Sequence, residues 1–379
     1  MCTAHFVLMS ALFLHEFHIA LKARFVDLNG QEAVGDYGDA PAEHAALQHA
    51  AGVLDLSFRG RICLTGSDRV RFLHGQVTND ILRLRAGEGC YAAIVSAKGK
   101  MESDCNVYCL AEELLLDLEP GMGGAVTRRL ERYIVADDVQ VVDAAPNYGM
   151  LSVQGPESGA AVRALGLFAG LPSRPFDSLK ITDATLGEMH VVNQPRLRAA
   201  GYDLYVPLDS LGAVGDKLIA AARGAGGRAC GWQAFETARI EAGIPRFGID
   251  MDERNLPLEC GIEQRAVSYS KGCYIGQEVI NRLHTLGHVN RELSGLRLAD
   301  DLPALPVKDD KLFSSGKEAG YITSAIVSAP LNATLALGYV RTEVKRSGLP
   351  LTLRHARGES PVQVVELPFQ RPDRRPAGD

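Results

Sequence analysis

From Lys100 to Leu110 the side chains alternate in kind, and this constrains the fold more than any other stretch. Met101, Ser103, Cys105, Val107 and Cys109 share one side, the more apolar one, while Glu102, Asp104, Asn106 and Tyr108 share the other. A period of two is that of a strand, whose successive side chains point to opposite faces of a sheet. Tyr91 to Val95 precedes it across Ser96-Ala97-Lys98-Gly99, so the region reads as a hairpin. On this reading Cys105 and Cys109 are core residues, not ligands. Asp104 points to the polar side, which is either solvent or a pocket.

Strands and helices alternate around the hairpin. Pro41 to Ala51, the stretch opened by Gly66-Ser67-Asp68 with Val70, Leu73, Val77 and Ile81 at helical spacing, Gly121 to Arg132, Leu211 to Arg223 and Gly231 to Gly243 read as helices. Arg61 to Thr65, Leu114 to Leu118, Asp138 to Asp143, Tyr148 to Val153 and Gly201 to Pro207 read as strands. Such alternation predicts mixed sheets with helices packed on them. After Arg291 strands dominate, at Leu293 to Leu298, Lys317 to Ser328 and Ala333 to Val340, a pattern that suits a small antiparallel barrel.

A chain of 379 residues with a formal net charge of −6 has room for two or three cores and no general attraction to nucleic acid or anionic membrane. Phe6 to Leu14 is apolar but too short to span a bilayer and has no basic flank, so no membrane association is expected. The eight cysteines include no C-x-x-C pair, which argues against a zinc site or an iron–sulfur centre held by one chain. Without a secretory signal the thiols read as reduced and the compartment as cytoplasmic. Met9 is an alternative start to Met1.

The chemistry centres on Lys271-Gly272-Cys273-Tyr274-Ile275-Gly276-Gln277-Glu278. Glycines flank the cysteine and permit close approach. The lysine, and a helix beginning near Tyr274, would favour the thiolate. The alternative is that Cys273 is a small hydrophobe buried in a turn. Arg265, Lys271, Arg282, Arg291 and Arg297, with His284 and His288, could face an anion such as a polyglutamyl tail, or be a solvated surface.

With Arg282, His284, Gly287, His288, Val289, Asn290 and Arg291, the octapeptide resembles the signature of the YgfZ family of folate-binding proteins, relatives of the glycine cleavage T-protein. The similarity runs from about Phe25 to about Val340. It implies an α+β fold, a T-protein-like folate-binding region of two interleaved α/β subdomains followed by an antiparallel β-barrel, as three lobes around a central cavity. The expected divisions are a leader at 1–24, the folate-binding region at 25–290, the barrel at 291–369 and a disordered tail at 370–379. The implied ligand is tetrahydrofolate or a one-carbon derivative. The implied role is support of iron–sulfur cluster assembly or repair, with Cys273 as the functional thiol and iron–sulfur assembly proteins or client enzymes as partners. The alternative is an aminomethyltransferase that passes a methylene unit to tetrahydrofolate in glycine cleavage. A demethylase-type relative and a binding module without chemistry are further alternatives.

The resemblance also assigns site residues. Asp104 matches an Asp that lies beside the reacting nitrogens of tetrahydrofolate in the T-protein branch, where a carboxylate can accept a proton or stabilise developing positive charge. Tyr202 and Asp203 lie on the strand matched to the pteridine site, and the T-protein branch has Glu in place of Asp203. Lys271 is added as a ligand contact, and no metal is expected. Phe235 stands where the T-protein branch carries a folate-contacting Arg, so a multi-donor contact is missing.

Overall fold

The computed structural model describes residues 10–300, 302–355 and 358–370. The alternative start, Cys2 and the tail beyond 370 lie outside them. The chain folds as two units, Met1–Ala238 with Gln264–Gln277, and Arg239–Glu263 with Glu278–Asp379.

In the first unit the hairpin forms between Gly89–Val95 and Met101–Cys109. It belongs to an antiparallel five-stranded sheet that continues through Leu114–Leu118, Gly60–Thr65 and Gln140–Asp143. Cys105, Val107 and Cys109 pack with Ile62, Leu64, Leu116 and the helix residues Phe72 and Leu73, as the alternation predicts. The polar side is not solvent. Asp104, Asn106 and Tyr108 are buried too, because a second sheet covers them.

That second sheet runs Ser178–Asp183, Gly187–Asn193, Gly201–Pro207, Tyr148–Gln154, Gly52–Asp55 and Arg228–Ala229. Its outer face is covered by the helix Leu208–Gly224 through Leu211, Val214 and Leu218. Its inner face supplies Leu54, Met150, Val192 and Tyr205, which meet Cys63, Tyr108, Leu110 and Leu115 of the first sheet. The hairpin Ser178–Asp183/Gly187–Asn193 is absent from the sequence reading, because its exposed half (Leu179, Lys180, Thr182) carries little apolar signal. Part of the stretch read as a leader is built into this unit. His18 is buried, with Nε2 2.9 Å from Asp55 Oδ2 and Nδ1 2.9 Å from the Tyr37 hydroxyl.

The second unit contains a closed antiparallel barrel in the order Arg291–Leu298, Ala333–Arg341, Lys317–Ser328, Lys311–Ser314, Leu351–His355 and Gly358–Val365. Closure leaves no unpaired edge. Leu296, Leu312, Ile322, Ala336, Leu351, Leu353 and Val362 fill it. The strand Lys317–Ser328 bulges between Ile322 and Ser324, which turns Thr323 toward the segment 239–263. Thr323 and Ser324 donate to Asp250 Oδ1 at 2.6 Å each, and Arg239 pairs with the same carboxylate. The chain is α+β, as expected.

The cysteine segment is pinned to the first unit by its backbone. Ile275 N–H donates to Gly75 O at 3.2 Å, and Gln277 N–H closes a turn onto Tyr274 O at 3.2 Å. The helix therefore begins at Gln277, not near Tyr274. Gly276 has φ of +82°, and a Cβ there would sit 2.4 Å from Ser96 O. Gly276→Ala is expected to cost about 1–3 kcal/mol in urea unfolding. Gly75→Ala, where a Cβ meets nothing within 4 Å, is expected to be neutral or stabilising.

Candidate functional site

Between the two sheets of the first unit lies a layer of buried charge. Asp117 is the fourth residue of the strand Leu114–Leu118 and is fully buried. Arg59 Nε donates to its Oδ1 at 2.6 Å, and Arg196 Nη2 and Asn106 Nδ2 donate to its Oδ2 at 2.6 and 2.8 Å. Arg59 Nη1 also reaches Glu119 Oε1 at 2.7 Å. Burial would raise the Asp117 carboxyl, but Arg196 and Arg59 outweigh it and hold the group well below the usual carboxylate range.

Asp104 sits in this layer without a guanidinium of its own. The Tyr91 hydroxyl donates to its Oδ2 at 2.7 Å. Burial, and then the Glu119 charge, push its pKa up to about 6, against the pull of the Tyr91 bond and Arg59. A carboxylate poised near neutrality can take and return a proton. Tyr91 is itself held in place, since Asn79 Nδ2 donates to Tyr91 O at 2.8 Å and to Arg265 O at 3.0 Å, and the Arg265 guanidinium lies 5.2 Å from the Tyr91 ring centroid.

Asp203 is in the layer too, but its carboxylate is engaged. Arg196 Nε and Nη2 donate to Asp203 Oδ2 at 3.0 and 2.6 Å, with Nε 3.3 Å from Oδ1. Both oxygens face a guanidinium, the donor pattern that the resemblance assigns to a pteridine edge. Tyr202 points to the opposite face of the strand and packs with the cluster around Leu204 and Leu211. Phe235 is core, tilted against Trp232 with ring centroids 5.1 Å apart.

Lys271 is buried and turned inward. Its ammonium donates to the carbonyls of His74, Val77 and Asn79 at 2.5, 2.7 and 2.8 Å, closing the end of the helix Arg69–Gln76. Burial lowers its pKa to about 8, against the pull of Asp80. Among the described cysteines Cys273 is the exposed one. Gly272 leaves only His74 Nε2 near the position of a Cβ, at 3.6 Å. The thiol and Asp104 are thus linked through chain connections, Lys271 and Asn79 to Tyr91, and the structure gives no direct bond between them.

In the second unit a cavity of about 760 Å³ is lined by Arg254, Arg291, Lys311, Tyr321, Tyr339 and Arg346, with others. The first three cations lie 5.4, 5.5 and 5.5 Å from the Tyr321 ring centroid. Arg291 also pairs with Glu259 at 3.2 Å and Lys311 with Glu318 at 3.0 Å. The basic segment of the sequence is therefore divided, with Lys271 buried in one unit and Arg291 and His288 at this cavity in the other. Among the described residues no group of three or more His, Cys, Asp or Glu side chains is placed to hold a metal ion.

Sequence reasoning missed Arg59, Tyr91, Glu119 and Arg196. One signal was present: Asp117 breaks the apolar run Leu114-Leu115-Leu116-Asp117-Leu118, and a charge in a buried strand requires a partner. Nothing local marks Arg196 as that partner.

Residues 14–271 match the GCVT N-terminal domain, and residues 291–370 match the glycine cleavage T-protein C-terminal barrel domain. An aminomethyltransferase of Ralstonia pickettii is 30% identical over 381 residues, covering 94% of this chain and 96% of that protein. One of Halothermothrix orenii is 28% identical over 364 residues, covering 94% and 98%. The crystal structure of glycine cleavage system aminomethyltransferase T from Bartonella henselae superposes with a TM-score of 0.85 at 20% identity, covering 96% of this chain and 98% of that one, a likeness of fold.

The Asp104 reading carries a pH dependence. Its folded pKa lies above the ordinary carboxylate value, so between about 4 and 6 the folded chain holds a proton that the unfolded chain releases. This group makes stability fall as pH rises through that window. Asp104→Asn is expected to be more stable than wild type at pH 7.5, by on the order of 1–3 kcal/mol, with the gain gone at pH 4. Urea unfolding at the two pH values checks it.

Proposed function

The chain belongs to the glycine cleavage T-protein family, and on that premise we propose that it transfers a one-carbon unit to tetrahydrofolate, as an aminomethyltransferase does. The observation that carries this is Asp104, a buried carboxylate oriented by Tyr91 and raised to about 6. In the proposed reaction the carbon–sulfur and carbon–nitrogen bonds of an aminomethyl group on a lipoyl-bearing partner break, its carbon bonds to two folate nitrogens, and the two protons those nitrogens lose leave on the freed lipoyl thiol and on ammonia. Asp104 accepts the proton released by a folate nitrogen and stabilises the cationic methylene–nitrogen stage. The Tyr91 hydroxyl occupies Oδ2 of this carboxylate. For the pteridine to use Asp203, the Arg196 guanidinium must yield its place or remain as part of the site. No described helix is long and apolar enough to cross a membrane, and we place the reaction in the cytoplasm.

The test is reconstitution with a lipoyl carrier protein bearing an aminomethyl group and with tetrahydrofolate, following ammonia and methylene-tetrahydrofolate. Wild type should form both. Asp104→Asn should lower kcat by roughly 10²–10⁴-fold, the span of one general base, while Cys273→Ala leaves the rate within about twofold. Wild-type chain that releases no ammonia, or an Asp104→Asn variant as fast as wild type, would overturn the reading.

A second reading is favoured by one observation, the exposure of the Cys273 thiol within the YgfZ-like octapeptide. It gives the protein a folate-dependent role in iron–sulfur cluster assembly or repair, with Cys273 meeting assembly proteins or client enzymes. In a host deleted for the gene, iron–sulfur enzyme activities should fall, and Cys273→Ala should fail to restore them while wild type succeeds. Full restoration by Cys273→Ala would remove the thiol from that role.

A further inference from the structure

The cavity of about 760 Å³ in the second unit is laid out by the register of the barrel strands. Lys311, Tyr321, Tyr339 and Leu293 are successive cross-strand partners, so they form one row on one face. The two tyrosine rings stack in that row, with centroids 5.2 Å apart. Arg341 stands two residues beyond Tyr339 on the same face, and its cross-strand partner is Arg291. Like charges directly opposite each other weaken a sheet. The barrel interior is filled from the other face, so core packing does not call for this pair. Local rules broken in this way concentrate at functional sites.

The cations also have donors to spare, on exposed side chains. Arg291 Nε donates to Glu259 Oε1 at 3.2 Å and Nη2 to Arg254 O at 2.6 Å, which leaves Nη1 unbonded among the described residues on a side chain 28% exposed. Arg341 Nη1 lies 3.8 Å from Glu343 Oε1, too far for a hydrogen bond, and its side chain is 58% exposed. Lys311 Nζ bonds Glu318 at 3.0 Å and keeps further N–H groups, on a side chain 45% exposed. Arg254 differs, because Asp252 and Asp309 take its donors, so it only frames the cavity.

We propose that this cavity binds a short chain with an anionic group at each end, one end on the Arg291–Arg341 pair and the other on Lys311. The strand of Tyr321 and Tyr339's strand order place Lys311 two strands from Arg341, roughly 10 Å, so a compact ion does not engage both ends at once. A chain lying across the tyrosine row does. An anion between Arg291 and Arg341 also relieves their repulsion. Glu259, Glu318 and Glu343 each offset one of these cations, so neither end holds a lone ion tightly and affinity comes from joining the two. Carboxylate and phosphate ends both suit these donors. The site involves no residue of the Asp104 reading, so its test stands apart from that of the transfer reaction.

The experiment is a ligand-observed NMR titration of the full chain with adipate, 1,4-butanediol bisphosphate and acetate. Wild type should bind adipate or the bisphosphate saturably, the tighter of the two naming the end group, and acetate at least tenfold more weakly. Lys311→Gln and Arg341→Gln, each of which removes one cation from an exposed position, should weaken the two-ended ligand about tenfold. The urea midpoint of Arg341→Gln should not fall, because the variant removes a like-charge pair. Absence of saturable binding of either two-ended ligand to wild type, acetate binding as tight, or undiminished binding by Lys311→Gln or Arg341→Gln would each overturn the proposal. So would a loss of binding in Arg341→Gln that comes with a lower urea midpoint, which would make Arg341 a structural residue.

Discussion

The first unit depends on the carboxylate of Asp117. It is a full charge between two sheets, and it is tolerable there because Arg59 and Arg196 reach it from different parts of the chain. A buried ion pair contributes little net stability compared with apolar packing, but removing one partner leaves an uncompensated charge. The pair therefore specifies which faces meet. Arg196, from the connection after the strand Gly187–Asn193, brings the second sheet to the first, and Asp203 follows it. Asp104 is raised toward neutrality first by its burial in this layer and then by the Glu119 charge, while the guanidinium groups are committed to other carboxylates.

Much of the scaffold was legible from periodicity. The strands at 114–118, 201–207 and 317–328 stand where the residues put them, because each is a short run rich in apolar side chains. The barrel strands Leu351–His355 and Gly358–Val365 were not, since Arg354, Glu359 and Pro361 interrupt any apolar pattern. The site was legible in part. Asp104 showed through alternation, but the cover over its polar face is a contact between distant segments that no local pattern carries. Lys271 shows the limit most sharply. Beside a cysteine in sequence, it reads as a thiol activator; in the fold its ammonium faces three carbonyls instead.

These differences bear on how such a fold hosts chemistry. The same layer that holds Asp104 fills the neighbourhood of Asp203 with a guanidinium, and the ring of Phe235 packs on Trp232. A scaffold can be retained while its polar interior is rewired, and activity then follows from the rewired groups, not from the scaffold.

The Lys271 bonds also set an order of events at the ribosome. They join residues 192 to 197 positions apart. At the usual pace of synthesis, about 5–20 residues per second, the end of the helix Arg69–Gln76 emerges roughly 10 to 40 s before the ammonium that closes it. For that interval the nascent chain must leave those carbonyls to water, so the end of the helix is closed only late in synthesis.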